Sequence, residues 1–259
     1  MVKKTIDGKK NIKSIVKMSK IIDVIAFEQS ALSLSELSQR LGIAKSTLHG
    51  LLSTLVNIRY LEQEQDTGRY KLGVQLFELG SQIANTWSEK TIAKSYMKKL
   101  VEETGETVHL GMLSNGEVLY VDKQEANSSI RIDTAPGAKL PLHCTGVGKV
   151  LLAYSDESEI EKILSSKLNK YTDQTIDNAV ALRKQLVEIR KVGYSFDNQE
   201  FVDGLRCVAA PIFDYQKKVI FALSISGPLS RMKQTEIIKY RDLLVNATKE
   251  ISQKLGYRE

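Results

Sequence analysis

Ser33-Leu-Ser-Glu-Leu-Ser-Gln-Arg-Leu-Gly-Ile-Ala-Lys-Ser-Thr-Leu-His-Gly-Leu-Leu52 has the pattern of two short helices joined by a glycine turn. Ser33 and Glu36 form a Ser-x-x-Glu capping box, which satisfies two free amides at the start of the first helix. Leucines then recur at helical spacing until Gly42, which permits a reversal of the backbone. The second helix opens with small polar and basic residues, as suits a helix whose N-terminal end enters the major groove of DNA. The stretch therefore predicts a helix-turn-helix, with an ordinary helical hairpin as the alternative.

The flanking segments favour a winged helix-turn-helix. Downstream, two short strand-like runs at 60–64 and 68–72 surround turn residues, which predicts the hairpin of a wing. Upstream, an apolar stripe predicts a supporting first helix. Helix, helix, turn, helix and hairpin within residues 1–73 predict a DNA-binding module. The upstream stripe consists of Ile12, Ile15, Val16, Ile22, Ile25 and Phe27.

The excess positive charge of the chain lies almost entirely in an N-terminal arm. Residues 1–20 contain seven lysines and one aspartate, a net charge of +6, while residues 21–73 carry −1 and residues 74–259 carry +1. Lysines in such an arm would neutralise DNA phosphates and release counterions; the alternative is a solvated tail. The candidate DNA contacts are Lys45, Ser46, Thr47 and His49 at the groove, Arg59 and Arg69 nearer the DNA backbone, and Lys3, Lys4, Lys9 and Lys10 in the arm.

A helix is predicted to follow the wing over residues 74–87. Val74, Phe77, Ala84 and Trp87 lie on one of its faces. An apolar stripe on a helix between two domains is often a dimer contact, and docking on its own domain is the alternative. A further helix, capped by Ser88, is predicted to end at Gly105.

Beyond residue 105 the pattern changes to alternating strands and helices. Asn115-Gly116 between two strand-like runs is a strong hairpin signal. We expect an α+β domain of about 160 residues, an antiparallel sheet with helices. The predicted strands are 107–113, 117–121, 130–132, 207–213 and 219–226, and the predicted helices are about 146–154, 157–166, 178–191 and 233–255.

Several other classes of protein are excluded by composition and spacing. The chain has no run of 18 apolar residues and no signal-peptide pattern, so we expect a cytoplasmic protein. Cys144 and Cys207 lack the CxxC spacing of a zinc ribbon. A Cys207–His143 hydrolytic pair is formally possible, but a cysteine heading an apolar strand is more often inert packing. His143, Cys144 and Asp197 have no specific metal-ligand spacing.

The segment Gly146-Val-Gly-Lys-Val-Leu151 resembles two nucleotide-binding motifs without matching either. It lacks the third glycine of a dinucleotide fingerprint, and His143 stands where a P-loop requires its first glycine. We therefore expect no catalytic residue, no metal and no cofactor.

Five segments together carry a resemblance to a known family: 44–49, 69–73, 193–197, 204–213 and 223–228. In this order along the chain they resemble the IclR family of bacterial transcriptional regulators. The resemblance implies a winged helix-turn-helix at 1–73, a linker helix at 74–90 and a GAF-like effector-binding domain at 91–259. It also implies a homodimer or tetramer that responds to a small organic, sugar or aromatic acid. One departure is Gly50, which stands where the family commonly has an arginine.

The resemblance also implies an effector pocket in the C-terminal domain. Ser224 and Ser226 alternate with apolar residues, so one strand face is small and polar. Such a face is either exposed to solvent or, beside a cavity, able to donate hydroxyls to a ligand carboxylate. Glycines at a helix start present free amides to an anion, and Asp197 would suit ligand hydroxyls or cap a turn. The implied pocket residues are Leu140, Thr145, Gly146, Asp197, Leu205, Cys207, Ser224 and Ser226.

The resemblance further implies a regulator of a carbon-catabolic operon, a repressor rather than an activator. Its effector would be a sugar acid, such as a 2-keto-3-deoxy acid, or a simpler acid such as glyoxylate or pyruvate. The alternative is a GAF-type binding protein or enzyme in which the N-terminal helices only mediate assembly.

Overall fold

The computed structural model describes residues 11–28, 30–125 and 134–258. The chain divides into two compact units, Met1–Trp87 and Ser88–Glu259. The predicted arm residues Lys3, Lys4, Lys9 and Lys10 and the predicted strand at 130–132 lie outside the described residues. None of the helices in the described ranges is long and apolar enough to cross a membrane.

The first unit is a winged helix-turn-helix. Ser33 accepts a hydrogen bond from the Glu36 amide at 3.3 Å, and the Glu36 carboxylate accepts one from the Ser33 amide at 2.8 Å. Gly42 ends that helix with a φ of 64°, a conformation that glycine adopts without strain. The elements are α1 (Lys13–Glu28), α2 (Leu34–Leu41), α3 (Lys45–Asn57), the antiparallel wing β1 (Leu61–Gln63) and β2 (Tyr70–Leu72), and α4 (Val74–Thr86).

The face that α1 buries differs from the predicted stripe. Ile21 and Ile25, one helical turn apart, are buried against α2 and α3. Ile12, Ile15 and Phe27 are at least 60% exposed, so their assignment to the packed face is wrong. With 16 residues, α1 is longer than either partner helix, and its apolar residues near both ends extend past the small core.

The second unit is an antiparallel sheet with helices on both faces. Its strand order is β5-β4-β3-β8-β7-β6, and every pair of neighbours is antiparallel. The strands are β3 (Thr107–Ser114), β4 (Glu117–Gln124), β5 (Lys139–Leu140), β6 (Ser195–Asn198), β7 (Leu205–Phe213) and β8 (Val219–Pro228). The helices are α5 (Ser88–Thr104), α6 (Gly146–Ala153), α7 (Glu157–Leu164), α8 (Ala179–Val192) and α9 (Gln234–Lys254).

The helix α6 packs on the face of the sheet that will form the candidate site. A Cβ at Gly146 would lie 3.3 Å from the Ala209 side chain, so glycine lets the helix approach the sheet closely. A Cβ at Gly148 would lie 2.6 Å from the carbonyl oxygen of Leu142, which leaves no room for a side chain. Gly146 and Gly148, the glycines of the segment that resembles a nucleotide-binding motif, therefore allow α6 to pack closely against β7 and Leu142.

Candidate functional site

The register of the sheet brings polar residues of neighbouring strands side by side. Asp197 on β6 pairs with Cys207 on β7, which pairs in turn with Ser226 on β8. Ser224 lies two residues before Ser226 on the same face of β8, and it pairs with His109 on β3. Ser224 and Ser226 are 2% and 3% exposed, so the solvent-exposed alternative for this strand face is wrong.

These residues form one wall of a cavity of about 400 Å³. The volume falls in the range of sites for small molecules, roughly 300–1,000 Å³. All eight residues that the sequence analysis assigned to an effector pocket line it: Leu140, Thr145, Gly146, Asp197, Leu205, Cys207, Ser224 and Ser226. Sequence reasoning missed the polar lining residues His109, Tyr120, Thr134 and Asp203.

The N-terminus of α6, which packs against β7, also lines the cavity. Thr145 caps the helix by accepting a hydrogen bond from the Gly148 amide at 3.0 Å, and its hydroxyl donates to the Pro141 carbonyl at 2.9 Å. Thr145, Gly146 and Val147 all line the cavity. The first amides of a helix have no partner within it and carry partial positive charge. This side of the cavity can therefore accept an anionic group.

Burial shifts the pKa values of Asp197 and His109 in opposite directions. Burial raises the pKa of Asp197 to about 7, although the Glu200 amide donates a hydrogen bond to its carboxylate at 2.8 Å. Burial lowers the pKa of His109 to about 3, which keeps the imidazole neutral at physiological pH. No lysine or arginine lines the cavity within the part of the chain that the structure describes.

A buried ion pair lies next to the cavity carboxylate of Asp197. The Lys149 side chain on α6 is fully buried and pairs with Glu200, and its ammonium also donates to the Phe196 carbonyl at 2.6 Å. The Glu200 amide is the donor to Asp197, so the pair lies next to the cavity carboxylate. Neither Lys149 nor Glu200 was among the site residues predicted from the sequence. The signal in the sequence that could have indicated this ion pair is Lys149, a lysine within the otherwise apolar helix α6.

The predicted groove-facing residues lie together on the open side of α3. Lys45, Ser46, Thr47 and His49 are all exposed in its first turns, while Leu48 is buried in the helical core. This is the geometry that a recognition helix requires.

The two arginines assigned to DNA make contacts within their own unit. Arg59 pairs with Glu78 at 3.0 Å. Arg69 donates to the Ala31 carbonyl at 2.8 Å and pairs with Glu36 at 3.3 Å, which ties the wing to the start of α2. Both side chains remain more than 40% exposed.

Gly50 lies on the exposed surface of α3. A Cβ at this position would meet nothing within 4 Å, so packing does not require glycine.

Two residues of the apolar face predicted for α4 are exposed, Val74 at 51% and Phe77 at 75%, whereas Trp87 is half-buried. Ile83, which was not assigned to that face, is 58% exposed. Ala84, also assigned to this face, has no described side chain. The described part of α4 contains no buried residue, so the alternative of docking on its own domain is not supported.

A helix-turn-helix with an exposed recognition helix, followed in the same chain by a unit with a cavity lined by both polar and apolar residues, defines a ligand-binding DNA-binding regulator. The family model for the IclR helix-turn-helix domain matches residues 14–65, and that for the C-terminal part of the bacterial transcriptional regulator IclR matches residues 87–253. The chain belongs to the IclR family of transcriptional regulators. These are not enzymes, so the alternative of an enzyme with an assembly module is wrong.

Known relatives match nearly the full chain. The transcriptional repressor IclR of Escherichia coli (strain K12) is 34% identical over 248 residues, covering 95% of this chain and 90% of that protein. The crystal structure of Thermotoga maritima IclR has 33% identity and a TM-score of 0.72 and covers 95% of this chain and 100% of that chain. An IclR homologue from Microbacterium hydrocarbonoxydans, solved with 4-hydroxybenzoate, shares the fold at 24% identity, with a TM-score of 0.81 and coverage of 93% and 98%.

Proposed function

We propose that the protein is a repressor whose affinity for an operator is controlled by a small acid bound in the cavity of its C-terminal unit. The observation that carries the proposal is that one cavity of about 400 Å³ is lined by the N-terminus of α6 and by the polar row on β6, β7 and β8. The IclR repressor of Escherichia coli, one of its relatives, supports repression rather than activation.

The lining favours an acid that also carries hydroxyl groups, such as a sugar acid. The amides at Gly146 and Val147 would hold the carboxylate, since a helix N-terminus attracts anions. Asp197 and Ser224 would hydrogen-bond the hydroxyls. A simpler acid such as glyoxylate or pyruvate would fill only part of the space. The bound 4-hydroxybenzoate of the Microbacterium homologue, also a small carboxylate, supports an acid of this size.

A ligand panel tests the proposed function. We expect D-gluconate, a 2-keto-3-deoxy acid, glyoxylate, pyruvate or 4-hydroxybenzoate to raise the melting temperature and to release the protein from its operator. A ligand at 100 times its dissociation constant adds about 2.7 kcal/mol to stability. Ser224→Ala should weaken binding of the active compound about fivefold, because a hydrogen bond between two neutral hydroxyls contributes about 1 kcal/mol.

The exposed Ser166→Ala is the matched control and should bind the compound like the parent. Operator affinity without ligand should be unchanged in both variants, because both serines lie in the second unit. Unchanged ligand affinity in Ser224→Ala would place the binding site elsewhere.

A second prediction separates sequence reading from phosphate binding in the DNA-binding unit. Lys45→Ala and Ser46→Ala should reduce discrimination between operator and random DNA, because both side chains are exposed at the start of α3. Deleting residues 1–10 should instead weaken binding to any DNA and flatten the plot of log affinity against log salt, by about one unit for each phosphate that is no longer neutralised. An unchanged salt slope after deletion would leave the arm as a solubility tail.

A third prediction concerns self-association through α4. We propose that the exposed face of Val74, Phe77 and Ile83 binds a second copy of the chain, which would fix the spacing of two DNA-binding units on two half-sites. Phe77→Asp and Trp87→Asp should then weaken dimerisation and operator binding together. Tyr215→Asp, which changes an equally exposed aromatic residue in the other unit, is the control. Sedimentation showing a Phe77→Asp dimer as stable as the parent would contradict this assignment.

A further inference from the structure

Two hydroxyl groups in the cavity have no hydrogen-bond partner within the described part of the chain. They belong to Tyr120 on β4 and Ser224 on β8, which are 6% and 2% exposed and both line the cavity. Buried polar groups are nearly always hydrogen-bonded, so each unpaired one requires an explanation. Because both hydroxyls belong to the cavity lining, a molecule bound there would supply the missing partner. The proposed function already gives Ser224 a role, and it leaves Tyr120 without one.

The Tyr120 side chain is held in place on two sides. Main-chain hydrogen bonds of 2.8 and 3.0 Å join this residue to residues 137–138. Its ring centroid lies 5.2 Å from that of His109 on β3, at an interplanar angle of 56°. His109 is in turn held through both ring nitrogens, by the Thr134 hydroxyl at 2.7 Å and the Ser226 hydroxyl at 3.4 Å. A side chain that is already fixed in the free protein loses little conformational entropy when it binds a ligand.

Tyr120 lies beside the first turn of α6. It pairs with Gly111 on β3, and a Cβ at Gly111 would lie 2.7 Å from Cγ1 of Val147. The Val147 side chain therefore packs on the strand position next to Tyr120, and the two residues share one hydrophobic cluster. Both also line the cavity. Because the Val147 amide is one of the two assigned to the ligand carboxylate, the phenol lies close to the proposed position of that carboxylate.

A carboxylate in this cavity must be held by neutral groups. No lysine or arginine lines the cavity within the ranges that the structure describes. An ionised carboxylate has about four acceptor sites, so two helix amides leave sites free for a further donor. Burial raises the pKa of Tyr120 well above its usual value, so the phenol stays protonated and remains a donor. A hydrogen bond from a hydroxyl to an ionised oxygen is also among the stronger ones in proteins.

We propose that Tyr120 is a specificity-determining residue, whose phenol donates a hydrogen bond to the ligand carboxylate beside the amides of Gly146 and Val147. Three neutral donors then recognise an anion without a cationic side chain. The cavity thereby selects an acid over the uncharged amide of the same acid. The inference rests on the proposed function, since it names a further contact of the ligand in the same cavity.

The experiment compares the full-length parent and Tyr120→Phe by calorimetry with four acids and their primary amides. The acids are D-gluconate, glyoxylate, pyruvate and 4-hydroxybenzoate. For each acid that binds the parent, the dissociation constant should rise about 10- to 150-fold in Tyr120→Phe, because a hydrogen bond to a charged group is lost. The amide of the same acid should lose only about fivefold, since its hydrogen bond joins two neutral groups. The preference for the acid therefore falls in the variant.

Tyr240→Phe is the matched control for a packing role. Tyr240 is 7% exposed, close to the value for Tyr120, but its hydroxyl donates to the Thr104 carbonyl at 3.2 Å and is not part of the cavity lining. Tyr240→Phe should lower the urea midpoint of the ligand-free protein and bind the acids like the parent. Tyr120→Phe should show the reverse, an unchanged midpoint and weaker binding. A midpoint that falls as far as in Tyr240→Phe would mean that the Tyr120 hydroxyl is already paired, which overturns the proposal.

The ligand measurements can also contradict the proposal in distinguishable ways. Equal affinity of the parent and Tyr120→Phe for an acid would overturn the proposal and leave the proposed function intact. An equal loss for an acid and its amide would place the phenol at another part of the ligand, and it would overturn the assignment to the carboxylate. Failure of the parent to bind any of the acids would refute the proposed function and this inference together.

Discussion

Lys149→Met should reduce the free energy of unfolding by about 3–5 kcal/mol, because it leaves the Glu200 carboxylate buried without its partner. The loss does not come from the apolar stem, which methionine replaces with similar volume. It comes from the desolvation of a charge whose other carboxylate oxygen already lacks a hydrogen-bond partner among the described residues. Urea unfolding of the full-length protein measures the change.

Two further variants test the physical reason. Lys162→Met removes a lysine that also pairs with a glutamate, at 3.3 Å, but the lysine is 65% exposed, so we expect a loss below about 0.5 kcal/mol. The double variant Lys149→Met/Glu200→Leu should recover most of the loss, since replacing both members of a buried pair by apolar residues is often neutral. Equal stability of the Lys149 and Lys162 variants would mean that the pair is solvated in solution.

The second large effect concerns how the free energy of unfolding depends on pH. Asp197 and His109 contribute to this dependence with opposite signs. The pKa of Asp197 rises from near 4 in the unfolded chain to about 7, so its contribution is complete below pH 4 and is lost as the pH rises through 7. The pKa of His109 falls from about 6.5 to about 3, so its contribution is complete above pH 6.5 and is lost as the pH falls. In the parent these two contributions oppose each other between pH 4.5 and 6.5.

Replacing either residue should leave the pH dependence of stability that the other residue contributes. From pH 4.5 to 6.5 the stability of Asp197→Asn relative to the parent should rise by roughly 2 kcal/mol, and that of His109→Gln should fall by a similar amount. A packing defect that does not depend on pH changes the level of each curve and leaves its slope unaltered. Thermal unfolding at five pH values measures both slopes, and parallel curves for parent and variants would contradict the pKa shifts described above.

Local signals allowed the DNA-binding unit to be predicted from the sequence. The Ser33–Glu36 capping box and Gly42 act within one helical turn, so the chain itself specifies where α2 begins and ends. The packed face of α1 was predicted incorrectly because it depends on where α2 and α3 end. Apolar residues at 12, 15 and 27 continue a helical pattern past the core that could bury them.

The cavity was predictable only in part, because its residues come from distant parts of the chain. The alternation around Ser224 marks a polar strand face, and the family resemblance supplied the rest of the pocket. His109 lies 117 residues from Ser226, and Lys149 lies 51 residues from Glu200. Strand register and helix packing bring these pairs together, and neither leaves a periodic pattern in the sequence.

Gly50 leaves one position on the exposed surface of α3 open to substitution. Its Cβ direction faces open space on the recognition helix, so a new side chain there meets no steric obstacle. Replacing glycine within a helix also adds up to about 1 kcal/mol of stability. A library of substitutions at this single position can therefore be screened for altered operator binding without first repairing the fold. Position 50 can therefore vary while the fold of the DNA-binding unit is kept.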